Sequence, residues 1–111
     1  MTDGDVDLEA LEGDLLTVLL HGVDECKSLK YNPTAFLMML HERGAVGALR
    51  QLLLPPVERC SDGFTRLWEM KRLDLAAEYP VAFNERFAPL FTPDERRIAR
   101  ERLALFGEHA P

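Results

Sequence analysis

Histidines, cysteines and a group of arginines are the residues through which this chain could do chemistry, and their spacing limits what that chemistry is. His21, His41 and His109 fall in separate segments, with no H-E-x-x-H or paired-cysteine pattern. A metal site needs ligands that converge, so no metal is expected. His41 and Glu42 are not a ligand pair, because neighbours on a helix point about 100° apart. Cys26 and Cys60 match no C-x-x-C spacing and lack the basic surroundings that mark a thiolate. They read as reduced thiols, with Cys26 a small buried hydrophobe. Ser28 and Ser61 have cap or surface roles, and there is no glycine-rich phosphate loop. The sequence therefore carries no catalytic residue and no cofactor is expected; the chain reads as a non-enzyme.

Two groups of charged residues are left. Near the C-terminus, Arg96, Arg97 and Arg100 share a helical face opposite Ile98, Ala99, Leu103, Leu105 and Phe106, a cationic stripe that is a candidate nucleic-acid contact. The competing reading is a solvated face offset by Asp94 and Glu101. Arg102 falls in the apolar sector and is expected to snorkel or to pair with a carboxylate such as Glu78 or Asp74. The second group lies in the segment Ser61–Leu75, which holds the single tryptophan. There Arg66, Glu69 and Arg72 are the candidate partner-binding face. The alternative is a buried anchor, Trp68, flanked by the ion pairs Arg66–Glu69 and Glu69–Arg72.

The elements that would position these residues are helical. Leu8, Leu11, Leu15, Leu19, Val23 and Cys26 recur at three- and four-residue steps, predicting a helix over 7–29 with one buried stripe. Gly22 in it marks a bend or a close helix contact. Asn32-Pro33 starts a second helix, 33–43, with Asn32 as its cap and Pro33 at its first position. Gly44 ends that helix in a left-handed conformation, and a third, 45–54, stops at Pro55-Pro56. Phe36, Leu37, Leu40, Val46, Leu49, Leu52 and Leu53 are the expected core. The pair of helices has the outline of a helix-turn-helix, but 45–54 offers only Arg50 and Gln51 to base edges and reads as a core helix. A fourth helix is predicted over 63–73, with Phe64, Leu67, Trp68 and the stem of Lys71 on one face. A short one follows over 75–79, capped by Asp74 and interrupted by Pro80. Residues 81–91 read as a turn or two plus a loop. Thr92-Pro93-Asp94-Glu95 is the strongest start signal, opening a helix over 93–106 that Gly107 ends. No segment alternates as a strand does, so the fold class is all-α: a compact bundle of five to six short helices without a sheet.

Composition fits one domain of 111 residues, 47% hydrophobic and 29% charged. No apolar run reaches the ~18 residues a membrane span needs, and Asp3, Asp5 and Asp7 are wrong for a secretory leader. A cytoplasmic protein without membrane contact is expected. The net charge of −6 is uneven. Residues 1–30 carry eight acids against Lys27 and Lys30, and residues 31–111 carry eleven charges of each sign. This favours a basic or neutral partner. It also sets apart an acidic first segment, 1–30, from a compact domain, 31–111. The leucine stripe of the first helix can bury against its own chain or against a second copy, so a homodimer stands among the expectations.

Tyr31-Asn32-Pro33-Thr34-Ala35-Phe36-Leu37-Met38-Met39-Leu40, Gly47-Ala48-Leu49-Arg50-Gln51-Leu52-Leu53, Ser61 to Leu75 and Ala88-Pro89-Leu90-Phe91-Thr92 resemble a family of small bacterial helical modules of uncharacterised function, over about residues 31–106. The resemblance implies a standalone module or a tail on larger proteins, some bearing nuclease or other defence-related domains, and it implies no catalytic residues. The chain departs from that pattern at Pro80 and in its acidic first helix. The reading that follows is a non-catalytic interaction or accessory module with a protein partner. Its alternatives are a nucleic-acid-binding adaptor using Arg96, Arg97 and Arg100, and an acidic inhibitor or immunity protein acting through the first helix.

Overall fold

A computed structural model describes residues 7–108. His109 and residues 1–6 lie outside them. Helix α1, Leu8–Ser28, begins where the Asp7 carboxylate accepts the Ala10 amide at 3.1 Å. Its stripe of Leu11, Leu15, Leu19, Val23 and Cys26 is buried, as the three- and four-residue spacing requires. Helix α2, Thr34–Leu53, is interrupted at Gly44. With φ 75 and ψ 176, Gly44 lies beyond the left-handed helical region expected for it, in a region open essentially to glycine alone. Pro33 precedes the helix instead of opening it, and the Asn32 side chain makes no cap; the Asn32 carbonyl receives the Thr34 amide at 2.9 Å.

Helix α3, Asp62–Glu69, is shorter than the spacing predicts. Ser61 caps it through the Phe64 amide, but Lys71 takes a positive φ of 59 and turns the chain. A 3-10 turn, Leu73–Leu75, follows. The short helix expected over 75–79 instead runs later, as α4, Glu78–Phe83. Pro80 does not break it: it stands in the first turn, where its missing N–H has no helical acceptor to lose. A second 3-10 segment, Glu85–Leu90, is started by the Asn84 side chain accepting the Arg86 amide at 3.1 Å. Helix α5, Pro93–Leu105, opens on a reciprocal capping box: Glu95 Oε1 accepts from the Thr92 amide at 2.8 Å and Thr92 Oγ1 from the Glu95 amide at 3.0 Å.

The fold is an all-α bundle, and among the described residues there is no strand. Leu40, Leu49 and Leu53 of the expected core are buried, with Phe36, Leu37, Val46 and Leu52 packed half-buried around them. Ala45, Ala48, Leu49 and Leu53 turn inward, so the second half of α2 is a core helix and not a groove reader. The stripe of α1 enters this same core. Three carboxylates tie α1 into the rest, Glu25 through Arg72 at 3.6 Å. Glu12 Oε2 accepts the Val46 amide at 2.9 Å, capping the restart of α2 after Gly44, and Asp14 pairs with Arg86. Gly22 makes the close contact anticipated for it: a Cβ there would lie 3.7 Å from the Leu75 carbonyl oxygen.

Candidate functional site

The arginine stripe of α5 is already engaged within the chain. Arg96 donates to Glu85 Oε1 at 2.8 Å and to the Val81 carbonyl at 3.3 Å. That hydrogen bond and the Arg96 charge hold the Glu85 carboxyl below its usual range. Arg97 bonds Asp94 at 2.7 Å and also reaches Glu101, both on its own helix. Arg100 is exposed beside them. Of the apolar sector opposite, Ala99 and Leu103 are buried, whereas Leu105 is 61% exposed.

Arg102, the residue out of place on the helical wheel, is inside the protein. Its guanidinium donates to the carbonyls of Leu52, Pro55, Pro56 and Val57 at 2.7–3.1 Å and to Glu78 Oε2 at 3.2 Å. Of the two carboxylates suggested for it, Glu78 is the partner, and Asp74 binds Arg72 instead. Burial raises the Glu78 pKa, opposed by a backbone hydrogen bond and by Arg102. Arg102 thereby fixes the turn between α2 and α3, whose prolines leave carbonyls without helical partners.

Arg66, Glu69 and Arg72 do not form one face. Because α3 stops at Glu69, Arg72 leaves the helix and binds Asp74 through two bonds of 3.1 and 3.2 Å, with Glu25 of α1 at 3.6 Å. The expected pairs Arg66–Glu69 and Glu69–Arg72 are not formed; Arg66 lies 5.5 Å from the centre of the Tyr31 ring. Trp68 is no buried anchor. It is 46% exposed, edge-on to Phe106 at 5.2 Å between ring centroids, and Phe106 meets the buried Phe64 at the same distance. The anchor is Phe64, and Trp68 overlies it.

Two surfaces escaped the sequence reading. One is the exposed apolar surface of Trp68 on Phe106 with the neighbouring Leu105, to which the turn that Arg102 holds adds Leu54, 81% exposed. The other is a cleft of about 700 Å³ between α1, the start of α2, the start of α3 and the chain from Leu75 to Pro80. Its residues come from segments far apart in sequence, so no local pattern announces it. Cys26 and Tyr31 line it, and burial pushes both above their ordinary pKa range. Burial likewise raises Cys60. Arg72 acts on the Cys26 thiol and Arg102 on the Cys60 thiol in the opposite direction, and burial outweighs both. Among the described residues, no three His, Cys, Asp or Glu side chains are grouped to hold a metal ion. No helix is long and apolar enough to cross a membrane. No family model, curated protein or solved structure matches the chain.

Proposed function

We propose that this protein is a non-catalytic interaction module whose partner-binding surface uses the exposed apolar side chains Trp68, Leu105 and Leu54, with Glu69 beside Trp68. The observation that carries this reading is the exposure of Trp68, Leu105 and Leu54 on a small charged domain, Trp68 being held at the surface by its edge-on contact with Phe106. A tryptophan beside charged neighbours is the composition of an interface centre, since it adds large apolar area at low entropic cost. The resemblance to bacterial accessory modules makes nucleic-acid processing or defence the setting in which to look for the partner, with a cytoplasmic location.

The test is affinity capture from the host with the wild-type chain and with the triple variant Leu54→Ser, Trp68→Ser, Leu105→Ser. The wild type is expected to retain a protein that the variant loses, at equal thermal stability of the two baits. Capture of the same proteins by both would overturn the reading. The alternatives have less support. Arg96 and Arg97 each already hold acids, and among the described residues Arg100 has no ion pair, so binding to DNA or RNA is expected to be unchanged by reversing all three. An inhibitor acting through the first helix needs its acids available, yet Asp7, Glu12, Asp14 and Glu25 serve as cap or tether. Deleting residues 1–30 also removes five buried side chains from the core. The deletion is expected to abolish cooperative unfolding, read by circular dichroism in urea; a truncated chain that still unfolds cooperatively would restore the first helix as a separable unit.

A further inference from the structure

The cleft beneath α1 is a different surface from that of Trp68, and its chemistry is specific enough to name an occupant. Val18, Phe36, Met39, Leu52 and Leu75 give it partly exposed apolar walls over the buried Val23 and Phe64. A volume of about 700 Å³ is that of a small-molecule site and exceeds the space one side chain fills. Its charged lining is one-sided: the carboxylates Glu25, Asp62, Asp74 and Glu78 stand against one guanidinium, Arg72, and no lysine.

These carboxylates differ in availability. Asp74 and Glu25 hold Arg72, and Glu78 answers Arg102. Asp62 has no ion pair among the described residues and is exposed at the start of α3. Beside it the chain comes up against Tyr31 at Gly63, where a Cβ would sit 3.0 Å from the phenol oxygen. The mouth therefore joins a free carboxylate to a phenol that can accept a hydrogen bond, above an apolar interior. Arg66, the nearest cation there, is drawn over the outer Tyr31 ring.

We propose that the cleft binds a small amphipathic cation, an organic amine with an apolar body, whose ammonium donates to Asp62 and Tyr31 Oη while its body covers the apolar walls of Phe36, Met39 and Leu75. An anionic amphiphile of the same shape meets four carboxylates in the lining against the one guanidinium of Arg72, which Asp74 and Glu25 already hold, and binds less well.

The probes are 4-phenylbutylamine, 4-phenylbutan-1-ol and 4-phenylbutyrate, titrated into the full chain and followed by amide chemical shifts. Saturable shifts centred on Tyr31, Asp62 and Gly63 are expected with the amine, weaker ones with the alcohol, and at least about tenfold weaker binding for the carboxylate. Asp62→Asn should weaken the amine by up to about fivefold and leave the alcohol unchanged, since an exposed ion pair is worth at most about 1 kcal/mol. Ala35→Trp, at an exposed position of the lining, should weaken all three by filling the mouth. Equal affinity for amine and carboxylate, shifts located away from the cleft, or an amine affinity indifferent to Asp62→Asn would each overturn the proposal.

Discussion

Helix α5 places two arginines in opposite surroundings. The Arg102 side chain is 1% exposed and meets four carbonyls and a carboxylate; Arg97 is 51% exposed and meets two carboxylates of its own helix. Both satisfy a guanidinium, but only Arg102 has replaced water entirely. Its bonds join α5 to the turn after α2 and to α4. A charge in the interior is expensive to strand and so becomes structural, whereas an exposed pair competes with solvent and salt.

The comparison is sharpest at Arg102 itself. Arg102→Met removes the cation and leaves Glu78 and four carbonyls facing an apolar chain, and is expected to lower stability by about 3–5 kcal/mol in urea titration. A loss under 1 kcal/mol would mean that water enters and takes over these bonds. Glu78→Gln keeps an acceptor for Arg102 but removes the titrating group, and its cost, at most about 1–3 kcal/mol, should be largest at low pH and shrink towards neutrality. Its diagnostic is pH. Because burial raises the folded pKa of Glu78, the folded state holds its proton more tightly than the unfolded chain. Stability from this group is present below the unfolded carboxylate pKa and falls as pH rises through the window up to the raised folded pKa. The wild-type stability should slope downward there relative to the glutamine variant, and parallel profiles would place the Glu78 charge in water.

Glu12 stands between the extremes. Its carboxylate caps the Val46 amide from another helix in a partly buried site, so Glu12→Ala is expected to cost about 1–2 kcal/mol and to raise hydrogen exchange at Val46 first. Uniform exchange across α2 would deny the cap a local role. Arg97→Ala is the smallest effect: the melting midpoint should stay within error of wild type, and any difference should vanish in high salt.

What was readable along the chain follows from periodicity and local caps. The stripe of α1, the Ser61 cap and the Thr92–Glu95 box depend on residues within one or two turns of each other. Arg102 was readable too, because an arginine inside an apolar sector must find a partner. The partner face of Arg66, Glu69 and Arg72 was not, since it assumed that α3 continues past Met70. Helical propensity says little about Lys71 adopting positive φ to bring Leu73 into the core, where it is 2% exposed. Pro80 misled for a related reason: a proline signals a break or a first turn alike, and the flanking residues do not say which.

The sequence by itself determined that this protein is helical, where most helices begin, and which stripe of each turns inward, because those depend on 3.6-residue periodicity and on side chains bonding their own backbone. Tertiary structure alone decided which charges are available. Glu12, Glu78, Arg96 and Arg102 find their partners across distances in sequence that no spacing rule connects. The carboxylate of Asp62 above an apolar cleft exists only once α1, α2, α3 and α4 have packed around it.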